Sequence, residues 1–225
     1  VTTNHGIVEN IAVIPGELNQ DNLYMVVKRT INGATRRYVE ILSDIDFGTN
    51  IQDAIFVDSS LTYSGSSTSS LSGLDHLEGQ TVSILEEGAA HPDKTVSSGS
   101  IATDRATTKA QVGLGYTSTL RTVRLEAGSA SGTAQGKIKK IHSVIVRFFR
   151  TVGASVGTST ANVDTIPFRD SSDPTDTAVP LFTGDKTIEA QPSWDTEGAI
   201  VVQQTQALPM TIVGIYPRVV VQDFD

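Results

Sequence analysis

The chain has 225 residues, 38% of them hydrophobic and 19% charged, with no cysteine and a net charge of −8. That length suits one large all-β domain or two smaller ones, each with a real core. The composition excludes a disulfide framework, a thiol nucleophile and a cysteine-ligated metal. The acidic balance argues against generic duplex binding, which rests on basic contacts to phosphate. No apolar run approaches the roughly 20 residues that span a bilayer, and no charged-then-apolar start marks a signal peptide. Absence of cysteine fits assembly in a reducing compartment. The chain opens on Val1 rather than Met, as a trimmed chain or a piece of a longer one would.

Taken in order, the chain reads as strands. Residues 11–14 form a short strand ending at Pro15-Gly16. Residues 23–31 and 34–42 flank Asn32-Gly33, the dipeptide of a type I′ hairpin, because both central positions need positive φ. Residues 54–63 alternate imperfectly and read as a strand. Residues 64–73 hold six Ser, two Gly and one Thr; such a stretch buries too little apolar surface to order itself and reads as a loop. A strand over 80–85 meets a Glu87-Gly88 turn, and His91-Pro92-Asp93-Lys94 reads as a further turn. Residues 100–103, 109–114 and 120–125 are candidate strands, and 128–136 a loop. Residues 139–152 form the strongest strand, with Ile138, Val144, Val146, Phe148 and Val152 on one face and Ile141, Ile145 and Phe149 on the other. A strand apolar on both faces is covered twice, by a second sheet or a neighbouring subunit. Strands over 180–183, 186–190, 199–204, 210–216 and 219–222 complete the series. The expected fold is an all-β sandwich or barrel-like domain of many short antiparallel strands. A boundary falls at 43/44, between an N-terminal β-hairpin region (1–43) and a β-rich domain (44–225).

Motifs for chemistry fail on their surroundings. Gly153-Ala154-Ser155-Val156-Gly157 matches a nucleophile elbow, but no helix follows and the last histidine, His142, precedes the serine. Gly132 to Lys137 resembles a phosphate loop with three residues between the glycines instead of four, and Ile138 stands where the magnesium hydroxyl belongs. Asp170, Asp173 and Asp176 are spaced by three, whereas calcium loops space ligands by two, so they read as turn formers. Glu86 and Glu87 would point to opposite faces of a strand and cannot pair as catalytic carboxylates. His5, His76, His91 and His142 show no ligand spacing. The chain is expected to have no catalytic, cofactor or metal residues.

Charge is unevenly placed. Residues 1–103 hold 13 acids and 5 bases, residues 104–163 hold 2 acids and 9 bases, and residues 164–225 hold 10 acids and 3 bases. Lys137, Lys139, Lys140, Arg147 and Arg150 are the candidate contact residues. On a regular strand Lys139 and Arg147 share one face, and Lys140 and Arg150 the other. DNA phosphate and an acidic neighbouring subunit both suit them.

Residues 25–42 (MVVKRTINGATRRYVEIL), 53–63 (DAIFVDSSLTY), 73–85 (GLDHLEGQTVSIL), 91–94 (HPDK), 132–153 (GTAQGKIKKIHSVIVRFFRTVG), 164–173 (DTIPFRDSSD) and 180–186 (PLFTGDK) resemble the C-terminal part of the tail nozzle proteins of short-tailed bacteriophages. These are also described as DNA-stabilisation or tail tubular proteins. The resemblance spans nearly the whole chain. It implies a structural virion protein assembled in the bacterial cytoplasm. Its partners would be copies of itself in a ring of six, the adaptor and tail fibre or needle proteins, and passing double-stranded DNA held without sequence specificity. Residues up to about 42 would end a propeller-like region, and the rest would form the nozzle or platform domain. The alternative is a receptor- or carbohydrate-binding β-module of a phage tail or surface adhesin, which needs exposed aromatic platforms; the chain is 6% aromatic. A cell-wall hydrolase would need a converging acid–base pair that no motif supplies.

Overall fold

The computed structural model describes residues 2–3, 5–16, 20–126, 128, 132–189 and 194–222. The protein is all-β, and every strand pairing among the described residues is antiparallel. It divides into two compact units, Val1–Tyr116 and Thr117–Asp225. Among the described residues no helix is long and apolar enough to cross a membrane.

The first unit holds two sheets. One orders β1 (Thr2–Thr3), β2 (Gly6–Pro15), β3 (Asp21–Ile31) and β4 (Ala34–Ile41) as a meander. The β3–β4 turn is the expected Asn-Gly hairpin, with φ of 47° at Asn32 and 72° at Gly33. The other orders β5 (Asp58–Ser72), β8 (Ser100–Leu114), β6 (Thr81–Glu86) and β7 (Ala89–Thr95). Its β6–β7 turn has the same left-handed pair at Glu87 and Gly88. Leu71, Leu77, Val82, Ile84, Ile101 and Val112 form the core, and Ile31 and Tyr38 of the first sheet join it. The 43/44 boundary therefore marks the end of a sheet, whose strands share a core with the β5–β8–β6–β7 sheet; the compact division lies at 116/117.

Three local expectations need correcting. The Ser-rich stretch 64–73 is no loop, because β5 runs through it to Ser72 and pairs with β8, with irregularities around Thr68. A partner strand satisfies its backbone, so the segment needs little apolar side chain of its own. His91-Pro92-Asp93-Lys94 lies within β7 rather than in a turn; as the edge of its sheet, that strand tolerates a proline. The segments 100–103 and 109–114 are one strand, β8.

The second unit is a two-sheet sandwich. One sheet centres on β10 (Lys139–Thr151), flanked by β13 (Phe182–Glu189) and the two-residue β14 (Trp194–Asp195) on one side and β16 (Ile212–Val221) on the other. The second orders β12 (Asn162–Thr165), β11 (Ser155–Ser159), β15 (Val201–Gln204) and β9 (Ser118–Arg121). Ile141, Val144, Val146 and Phe148 of β10 face Val156, Ile166, Phe168, Ile200 and Val202 across the core. Phe148, Phe168 and Phe182 meet edge to face at 5.5 and 5.9 Å between ring centres, the favoured aromatic geometry. The expected strand pairs 180–183/186–190 and 210–216/219–222 are single strands, β13 and β16.

Gly157 explains the second half of the Gly-Ala-Ser-Val-Gly motif. A Cβ there would fall inside the Asn162 carbonyl, where β11 turns back into β12. Gly157→Ala is expected to lower the stability of this unit by about 2–3 kcal/mol through overpacking against backbone. Urea denaturation followed by the fluorescence of the single Trp194 measures it. Ser155→Ala in the same motif serves as a near-neutral control.

Candidate functional site

The bulge in β10 decides where the candidate cations lie. Pairing with β16 shifts register between Ile141 and Ser143, so the inward residues change parity from Lys139 and Ile141 to Val144, Val146 and Phe148. Lys139 and Arg147 thus stand on opposite faces, contrary to regular alternation. Lys139 is 1% exposed and its Nζ donates to the Thr196 carbonyl at 3.1 Å. It is an internal structural group, not a surface contact. Arg147 is exposed and donates twice to Asp185, Nε to Oδ1 at 2.7 Å and Nη2 to Oδ2 at 2.8 Å. That charge-assisted fork holds the Asp185 carboxyl below its usual range. Lys140 Nζ sits 5.8 Å from the centre of the Trp194 ring, a cation–π arrangement. Arg150 has a left-handed backbone, φ 46°; its side chain and that of Lys137 are half-buried. The five residues do not form one cationic surface.

The outward face of the same sheet has a defined composition. Cross-strand rows set Trp194, Lys140 and Val220 side by side, then Glu189, Ser143 and Arg218, then Thr187, Ile145 and Tyr216, then Asp185, Arg147 and Gly214. Trp194, Tyr216 and Phe149 are about half exposed, as is Val220, and Val213 is more so. Gly214 leaves room for the Tyr216 ring, whose hydroxyl approaches the place of a Cβ there at 2.8 Å. Sequence reasoning missed this aromatic face, because the three rings lie on three different strands or strand ends far apart in the chain.

In the first unit a cleft of about 500 Å³ opens beside β4. Met25, Tyr38, Ile41, Ile55, Val57 and Leu61 supply apolar wall, and Glu40, Asp58 and His76 the polar groups. Tyr38 donates to the His76 carbonyl at 3.1 Å, and the His76 ring contacts the Ser59 carbonyl at 3.1 Å. Ser59 is held at φ 52°, a strained value for serine. Burial pushes the Asp58 carboxyl up, partly offset by Arg29. Arg29 is buried and forks onto Glu40, Nε to Oε1 at 3.0 Å and Nη2 to Oε2 at 2.7 Å.

A second buried charge in this unit also went unread in the sequence. Glu86 is fully buried and neither carboxylate oxygen has a hydrogen-bond partner among the described residues. Arg105 Nε lies 3.4 Å away and His91 Nε2 3.8 Å. The Asp104 N–H donates to His91 Nε2 at 3.0 Å, and His91 Nδ1 faces the Pro92 carbonyl at 2.7 Å, which places the ring proton on Nδ1. Glu87 faces away and binds midway along β8, accepting from Thr107, Thr108 and Lys109. No group of three or more acidic or histidine side chains that could hold a metal occurs among the described residues.

Glu126 clasps the loop that precedes β10. It accepts from Gly128 N at 3.1 Å, Ala134 N at 2.7 Å and Thr133 Oγ1 at 2.6 Å. These bonds, the hydroxyl first, depress its pKa to about 2. A depressed carboxylate contributes stability above its unfolded pKa of about 4.3 that is lost as pH falls through the folded value. The clasp is expected to hold at pH 5 and open as pH approaches 2. The Ala134 amide shift, followed by NMR, should titrate near pH 2; a midpoint above 4 would exclude the clasp.

Comparison of the sequence with models of protein families and with curated proteins gives no match.

Proposed function

We propose that this chain is a structural virion protein of a short-tailed bacteriophage tail, part of the nozzle that retains the genome and conducts it during ejection. The observation that carries the reading is the bare apolar sheet surface of the first unit. Register puts Tyr24, Val26, Val39, Ile41 and Ile14 on one face of the β2–β4 sheet and Ile11, Val13, Leu23 and Met25 on the other. Val39 is 73% exposed, and Ile11, Val13, Ile14 and Ile41 are each about half exposed or more. A sheet apolar on both faces needs another protein surface over it, which suits a chain whose work is assembly. The choice of a tail nozzle within that reading rests on the ordered sequence stretches that resemble nozzle proteins. The net charge of −8 suits a conduit, because a cationic lining would bind each phosphate it met through counterion release. The partners are copies of the chain, the adaptor and fibre or needle proteins, and passing DNA; the reading assigns no catalysis and no cofactor. Immunogold labelling of purified virions tests it: label on the tail is expected, and intact particles that lack the chain would overturn it.

A second reading, a receptor- or carbohydrate-binding module, draws on the half-exposed Trp194, Tyr216 and Phe149, since aromatic faces stack on sugars. Glycan retention that Trp194→Ala abolishes would favour it.

A further inference from the structure

We propose that the outward face of the β13–β10–β16 sheet in one copy is the docking surface for the acidic, apolar end of the first sheet in a second copy. The inference rests on the structural role proposed for the chain and names the two surfaces that meet.

Each surface lacks what the other has. The outward face of the second unit carries Trp194, Val220, Tyr216, Val213 and Phe149 exposed, among three cations, Lys140, Arg147 and Arg218. Its two carboxylates are Asp185, already tied to Arg147, and Glu189. Arg218 makes no hydrogen bond or ion pair among the described residues, and Lys140 engages only the Trp194 ring there. The far end of the first sheet carries Val13, Ile14, Ile41 and Leu42 exposed, then Ile45 at 82%. Asp21 starts β3 opposite Pro15, and Asp44 and Asp46 follow in the segment just after β4; all three are exposed. The flanking sequence is acidic: residues 10–27 contain no Lys or Arg, and residues 38–93 contain ten acids and no Lys or Arg. The units differ as wholes too, at −7 for the first (14 acids, 7 bases) and −1 for the second (11 acids, 10 bases).

Apolar area supplies the attraction and the charges select the partner. Two acidic sheet ends repel each other, and the outward face, with three cations to two carboxylates, favours an acidic partner over its own image. The matching partner of each surface is the other surface on a different copy, a heterologous contact. The aromatic rings fit the anchor role that Trp and Tyr take at interface centres.

Charge reversal tests this without touching either core. Lys140→Glu/Arg218→Glu makes the docking face acidic. Asp21→Lys/Asp44→Lys makes the sheet end basic; Asp46 is left because its carboxylate accepts the Gly48 N–H at 3.0 Å. Sedimentation velocity over a concentration series reads association, with circular dichroism confirming the fold of each variant. Wild type is expected to associate, each variant at least roughly tenfold more weakly, and association should fall with added salt. Mixing the two variants should restore it, since each altered face then meets a complementary one. Unchanged association of both variants, no recovery on mixing, or a wild type monomeric throughout the series would overturn the interface. Glycan-array binding lost in Trp194→Ala, with both charge variants associating normally, would overturn it in favour of a saccharide surface. Virion labelling stays independent: a labelled tail with unaffected charge variants removes this interface and keeps the structural reading, whereas an unlabelled virion removes the reading itself.

Discussion

Lys139→Glu is expected to unfold the second unit. The side chain is 1% exposed on the inward face of β10. Its stem lies against Gly198, where an added Cβ would come within 3.0 Å of Lys139 Cδ, and its ammonium ends on the Thr196 carbonyl. A glutamate would place a carboxylate against that carbonyl, acceptor facing acceptor, with no cation to meet it. An uncompensated buried charge costs about 3–5 kcal/mol, a large share of the roughly 5–15 kcal/mol typical of a domain. Lys139→Met keeps the packed stem and forfeits one charge-assisted hydrogen bond, worth about 1.5–3 kcal/mol. Lys140→Glu, one residue on but facing outward, should change stability by less than about 1 kcal/mol. Urea unfolding read by Trp194 fluorescence orders the three. A Lys139→Glu midpoint equal to wild type would mean that Lys139 is a surface residue after all.

That neighbouring pair shows where sequence reading stops. The strands themselves are legible, because Asn32-Gly33 and Glu87-Gly88 announce their turns and β10 announces itself by β-branched and aromatic density. Side-chain direction along β10 is not, since one unpaired residue near His142 inverts every assignment upstream of it and no residue type marks the bulge. The Ser-rich arm of β5 was hidden for a different reason. Composition reports how much a segment can bury, whereas pairing with β8 asks only for backbone groups and a partner. The aromatic face assembles Phe149, Trp194 and Tyr216 from distant parts of the chain, so only register reveals it. Glu86 reads as one acid of an adjacent pair, and nothing in its local sequence says that it alone turns inward.

Arg29→Ala is expected to cost the first unit about 3–5 kcal/mol, because it strands Glu40. Arg29 lies between Val27 and Ile31 on β3, facing the core, and its guanidinium reaches past the Val27–Tyr38 row to Glu40 on β4. Its third nitrogen, Nη1, is buried without a hydrogen-bond partner among the described residues, so the fork to Glu40 is the compensation for its burial. Lysine cannot reproduce the fork, and Arg29→Lys should fall between wild type and alanine. The double variant Arg29→Ala/Glu40→Gln, which keeps the truncation and removes the stranded charge, separates the electrostatic account from simple packing. If stranded charge is the cause, removing both charges restores most of the stability lost in Arg29→Ala; if the side chain acts only as filler, the double variant is as unstable as the single one. Hydrogen exchange of the β3 and β4 amides reads the first unit directly. The same pair stiffens the sheet whose far end carries Ile41 and Leu42. Arg29→Ala should therefore weaken association between copies as well, whereas the double variant should recover it, tying the buried fork to the exposed surface it supports.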